Sequence, residues 1–193
     1  YVLDWYDRYH CYQDASADPE GVDRGHGRLY RIVHEATGRP EPVDLSKATN
    51  EELVKRLGDS NVFIRETAQR LLSEKQCAGV VDQLQSIVLD AGANPKHQMH
   101  ALWSILGGKQ LTAEFASQLL ASSDERLRAW GVRGSGSLLA DNSQIAQQCM
   151  ALAKDSSADV QLQVAIAAGK FPSVDPMPVW MEVLTHCGDD RLI

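Results

Sequence analysis

The stretch 60–72, SNVFIRETAQRLL, decides how this chain is read. Ile64, Ala68, Leu71 and Leu72 fall at i, i+4, i+7 and i+8, the apolar face of a helix with 3.6 residues per turn. The pattern returns in 94–106, NPKHQMHALWSIL, with Met99, Leu102, Trp103 and Leu106. It returns again in 123–136, SDERLRAWGVRGSG, with Leu127, Trp130, Gly131 and Gly134, and in 157–171, SADVQLQVAIAAGKF, with Val160, Val164, Ala167, Ala168 and Phe171. Another apolar helix precedes each one: Leu53/Val54/Leu57, Val80/Leu84/Ile87/Val88, Phe115/Leu119/Leu120 and Ile145/Cys149/Leu152. Trp180/Val183/Leu184/Cys187 begins a further pair. The small residues Ala68, Ala101, Gly131 and Ala165 recur about 30 to 34 positions apart, a helix-pair period. One pair cannot bury its own apolar face, so the pairs must stack. The predicted fold is mostly α: an α-α superhelix, or solenoid, of about four to five helix pairs over residues 44–193.

Start signals fall where such helices need them. Thr49 and Glu52 form a capping box. Asn94 before Pro95, and Asp175 before Pro176, each place an N-cap ahead of a proline at the first helical position. The three glycines in 131–137, GVRGSGS, sit late in a helix, where close helix packing explains them better than phosphate binding.

Residues 1–43 read differently. The segments 1–7, YVLDWYD, and 27–34, GRLYRIVH, are short, aromatic and β-branched, and are predicted to be antiparallel strands of a hairpin. Between them 17–27, ADPEGVDRGHG, reads as a long loop, and 35–44, EATGRPEPVD, as a linker. The carboxylates Asp4, Asp7 and Asp14 with His10 are the candidate metal ligands. A carboxylate-rich set suits calcium, but the D-x-D-x-D-G spacing of an EF-hand is missing. The competing reading makes the aromatics Trp5, Tyr6, Tyr9, Tyr12 and Tyr30 packing residues, and the acids turn formers and partners of Arg8, Arg24 and Arg28.

The 193 residues carry a formal charge of −7, which disfavours a nucleic-acid partner, because grip on a phosphate backbone needs a basic footprint. No apolar run approaches the length of a membrane span. None of the four cysteines lies in a C-x-x-C pair, and Cys149 and Cys187 fall on apolar stripes as small core residues. No G-x-S-x-G or H-E-x-x-H motif is present, so no catalytic residue is assigned. The polar positions of the second helices are the candidate binding groove: Arg65, Gln69, His97 and His100, then Arg128, Arg133, Gln161 and Gln163. Mixed polar and basic on an acidic chain, they suit a peptide or an acidic partner surface.

The segments 58–72, GDSNVFIRETAQRLL, and 155–169, DSSADVQLQVAIAAG, resemble HEAT repeats of the short bacterial kind, a likeness that runs from Leu45 to the last residue. The string DWYD at 4–7, CY at 11–12, DPEGVDR at 18–24 and GRLYR at 27–31 resembles the junction in planctomycete-type "membrane-bound dehydrogenase" proteins. In that family a sugar-dehydrogenase-like propeller runs into HEAT repeats, and a cytochrome c domain commonly follows. The resemblance implies that residues 1–43 close a propeller blade and that the chain is part of a larger, periplasmic or cell-envelope protein. It implies haem c or a quinone in that larger protein; this chain has no C-x-x-C-H, and no cofactor is assigned to it. Two functions follow as expectations. One is a non-catalytic scaffold that binds a protein partner, or the larger protein's own propeller and cytochrome domains. The other is a segment of a propeller-type sugar or alcohol dehydrogenase that passes electrons to a cytochrome c domain.

Overall fold

A computed structural model describes residues 1–5, 27–34, 36, 42–190 and 192–193. The chain divides into two compact units, Tyr1–Val43 and Asp44–Ile193. In the first unit β1 (Val2–Trp5) pairs antiparallel with β2 (Gly27–Tyr30). Val2 lies opposite Tyr30, Leu3 opposite Leu29, and Asp4 opposite Arg28. Of the candidate metal ligands, Asp4 contributes its backbone to β1, while Asp7, His10 and Asp14 lie outside the described residues.

The second unit is helical, with nine α-helices among the described residues. Short and long helices alternate at first. α1 (Asn50–Arg56) has 7 residues and α2 (Val62–Glu74) has 13; α3 (Val81–Leu89) has 9 and α4 (Pro95–Gly107) has 13. α5 (Ala113–Leu120) precedes α6 (Glu125–Leu138), and α7 (Ser143–Ala151) runs through a 3-10 turn, Leu152–Lys154, towards α8 (Ala158–Ala168). α9 (Pro176–His186) follows. Side chains at the starts set these boundaries. Thr49 Oγ1 accepts from the Glu52 N–H at 3.2 Å while the Glu52 carboxylate accepts from the Thr49 N–H at 2.8 Å, a closed capping box. Asn61, Asn94, Thr112, Asp124, Asn142 and Asp175 cap their helices by the same chemistry, worth about 1 kcal/mol each. No described helix is long and apolar enough to cross a membrane.

Each short helix packs on the long one after it, and long helices pack on one another, α2 on α4 and α6 on α8. Leu53, Leu57, Leu72, Leu84, Leu102, Ile105, Phe115, Leu119, Ile145 and Val164 are fully buried along this line of contacts. Small residues permit the close approaches. A Cβ added at Gly131 would stand 2.9 Å from Leu119 Cβ, and one at Gly136 would stand 3.1 Å from Ala167 Cβ. Ala68, Ala101 and Gly131 are buried at these crossings, but the fourth member of the series is Val164, fully buried, whereas Ala165 is half-buried. The α4 stripe is also turned from the expected one. Ala101, Leu102 and Ile105 face the core, and Met99, Trp103 and Leu106 stand at its margin.

The ends of α2 and α4 carry residues in the left-handed region. Cys77 has φ 50° and Lys109 has φ 57°. After α4 the Gln110 N–H reaches back to the Ile105 carbonyl at 2.9 Å, closing the last turn over Lys109.

Candidate partner-binding cleft

The fourth residue of α2, α4, α6 and α8 does one job in each. Arg65 of α2 donates to the Asp59 and Ser60 carbonyls at 2.7 and 2.9 Å. Gln98 of α4 donates to the Val88 and Asp90 carbonyls at 3.3 and 2.7 Å. Arg128 of α6 donates to the Ser122 and Ser123 carbonyls at 2.9 and 3.1 Å, and Gln161 of α8 donates to the Asp155 carbonyl at 2.7 Å. A tight turn between paired helices strands backbone carbonyls that the helices cannot satisfy. A long amide or guanidinium side chain one turn into the next helix returns to fill them. Arg128 does more: its Nε and Nη2 grip both oxygens of Asp155, at 2.7 and 2.8 Å, and so tie α6 to the turn before α8. Burial alone would raise the Asp155 carboxyl, but the Arg128 guanidinium and the Ser157 N–H hold it below its ordinary value. Three of the expected groove residues, Arg65, Arg128 and Gln161, are thus turned back on their own turns.

His100 and Gln69 are internal as well. His100 is buried, its Nδ1 lies 2.7 Å from Gln69 Oε1, and its Nε2 accepts from Arg65 Nε at 3.4 Å. Only the neutral ring with its proton on Nδ1 satisfies both contacts. Burial, then the Arg65 charge, holds the His100 pKa below its ordinary value, against a weaker opposite pull from Glu66. His97 lies across α4, with its Nδ1 3.5 Å from the point where a Gly58 Cβ would be. Its Nε2 is buried without a hydrogen-bond partner among the described residues.

Arg133 and Gln163 do come together. They border a cleft of about 270 Å³ with Met99 of α4, Trp130 of α6 and Asp159 of α8. Glu125, Arg126 and Ala129 complete its wall. The Trp130 ring carries the Arg133 guanidinium 4.8 Å from its centroid and meets the Trp103 ring edge-on at 5.5 Å. Trp103 in turn meets His100 at 5.2 Å, so an aromatic series joins the buried His100 cluster to the cleft floor. Arg126 is held by Asp124, but Arg133, Glu125, Asp159 and Gln163 make no hydrogen bond or ion pair among the described residues. A larger opening, about 590 Å³, lies beside α1, but Arg56 there is paired with Asp59, Glu52 is spent on its cap, and no aromatic residue lines it.

Sequence reasoning placed Trp103 and Trp130 in the core and did not assign Met99, Glu125 or Asp159 to a site. The missed signal is the register of the clamp. With Arg65, Gln98, Arg128 and Gln161 aligned as inward residues, Trp130 and Gln163 fall two positions later at the margin, and Arg133 falls five positions later on the exposed face. Among the described residues no group of three or more His, Cys, Asp or Glu side chains could hold a metal ion. Burial pushes the Cys77 and Cys149 thiols up to about 11, which leaves little thiolate at neutral pH. The cleft therefore offers an aromatic floor and rim charges that form no ion pair among the described residues.

No protein-family model matches the chain, and no curated protein matches it.

Proposed function

We propose that residues 44–193 form a right-handed α-solenoid of the HEAT type and act as a non-catalytic, protein-binding scaffold within a larger multidomain protein. The successive packing of short and long helices supports the stacked arrangement. So does the inward clamp recurring at Arg65, Gln98, Arg128 and Gln161, about 30 to 33 positions apart. The observation that carries the binding role is the cleft itself. Three long helices, α4, α6 and α8, contribute to one apolar-floored depression whose rim residues Arg133, Glu125 and Asp159 have no ion-pair partner among the described residues. The likeness of the first 43 residues to a propeller junction supports a place between other domains.

The test is display of a random peptide library against the 193-residue chain, with photo-crosslinking of enriched peptides. Crosslinks on α4, α6 and α8 are the expected result. Absence of any enrichment, or crosslinks confined to other surfaces, overturns the proposal.

A further inference from the structure

We propose that the cleft on α4, α6 and α8 takes an extended peptide with a basic residue at one end, an apolar residue in the middle and an acidic residue at the other end. The inference rests on the scaffold reading and names the chemistry of its partner. Its basis is how the unspent groups are ordered along the helices. Glu125 is the first residue of α6 and Asp159 the second of α8, so each carboxylate lies in the opening turn of its helix. The two helices run alongside in the same direction. Arg128 near the start of α6 grips Asp155 just before α8, and Gly136 near the end of α6 faces Ala167 near the end of α8. Glu125 and Asp159 therefore mark one end of the cleft. Arg133, about 12 Å further along α6 at 1.5 Å per residue, marks the other end, and on α8 Gln163 lies about 6 Å beyond Asp159. Met99, Ala129 and Trp130 lie on the wall between them.

Charge complementarity fixes the occupant. Arg126 beside Glu125 is taken up by Asp124, so the acidic end calls for a Lys or Arg, and the overall charge of −7 favours its approach. At the far end Arg133 is already laid over Trp130, which pre-orders its guanidinium, and it has no carboxylate of its own among the described residues. It calls for Glu or Asp, or a C-terminal carboxylate. Four residues of extended backbone cover about 13 Å, close to the rise of α6 from Glu125 to Arg133.

The probe is the blocked, fluorescein-labelled pentapeptide Lys-Ala-Leu-Ala-Glu, titrated into the full chain by fluorescence polarisation. Lys-Ala-Leu-Ala-Lys and Glu-Ala-Leu-Ala-Glu serve as same-sign comparisons. The mixed peptide is expected to bind at least about fivefold tighter than either comparison, the scale of one favourable ion pair. Arg133→Glu should reverse this order in favour of the Lys/Lys peptide, and Glu125→Lys should favour the Glu/Glu peptide. Both side chains are exposed, so the variants should keep the far-ultraviolet circular dichroism of the parent chain. Equal binding of the three peptides, no binding of the mixed one, or a preference unmoved by both variants overturns the bipolar assignment. Those results leave the scaffold reading standing if library peptides still crosslink to α4, α6 and α8; failure of the library itself removes both.

Discussion

Truncation of Arg128 to Ala should be among the most costly changes to an ionic side chain in the helical unit. The Arg128 side chain is 14% exposed and that of Asp155 is 6%, so little water replaces the lost guanidinium. Removing one partner of a buried ion pair costs about 3–5 kcal/mol, because the other charge is left uncompensated. Asp155 keeps the Ser157 N–H at 2.9 Å, and the Ser123 residue is exposed, so water can take over its carbonyl. These two facts bring the expected loss to the lower part of that range, about 3 kcal/mol, a large share of the 5–15 kcal/mol typical of a whole domain. Urea unfolding at pH 7, followed by circular dichroism, measures it. A double-mutant cycle with Asp155→Ala should show a coupling of about 1–3 kcal/mol, since the double variant no longer buries a lone charge. The folded Asp155 carboxyl titrates below its unfolded value, so its contribution is complete above about pH 4 and is lost as the pH falls through the folded pKa. A loss below about 0.5 kcal/mol for Arg128→Ala, or strict additivity in the cycle, would refute the reading of this pair as a tie between α6 and the turn before α8.

The neutral His100 ring is favoured in the folded chain, so its contribution is whole above about pH 6.5 and is drawn down as the pH falls below that. The urea midpoint should therefore drop between pH 7.5 and 5, and less steeply in His100→Gln; an identical drop in both proteins counts against the assigned tautomer. Lys109 holds a left-handed φ of 57°, and Lys109→Gly should stabilise the chain by about 1 kcal/mol, read as a higher melting temperature. Gly131→Ala gains helix propensity of about 1 kcal/mol but presses a methyl to 2.9 Å from Leu119 Cβ, and a net loss of about 1–2 kcal/mol is expected in urea unfolding. A more stable Gly131→Ala variant would show that α5 and α6 have slack at this crossing.

What could be read from the sequence was the local chemistry. The capping box at Thr49 and Glu52 and the Asn94–Pro95 and Asp175–Pro176 starts are short-range devices, and each is present. The mostly helical character of residues 44–193 follows from the 3.6-residue period, which needs no knowledge of neighbours. The facing of α4 was less legible. Met99, Ala101, Leu102, Trp103, Ile105 and Leu106 are apolar around much of its circumference, so the period allows several rotations of the helix. The structure selects the one that puts the small Ala101 at the crossing and leaves the bulky Trp103 at the margin. The groove residues were harder still. A polar side chain early in a helix looks alike whether it points to solvent or bends back to a turn, and the carbonyls that draw in Arg65, Arg128 and Gln161 depend on turn geometry. Arg133 and Gln163 reach the cleft, while His100 and Gln69 spend their polarity on each other.

The inward clamp also governs where the chain can change length. In the turn between two paired helices, an inserted residue would move the stranded carbonyls out of reach of a side chain anchored one turn into the next helix. The turns before α2, α4, α6 and α8 are each closed in this way by Arg65, Gln98, Arg128 and Gln161. Among the described residues no such side chain spans the stretch between α4 and α5, where Gln110 Nε2 donates to the nearby Gly108 carbonyl. A residue inserted there should therefore cost less stability than one inserted in a turn that such a side chain closes, and urea unfolding of the two insertion variants would tell them apart.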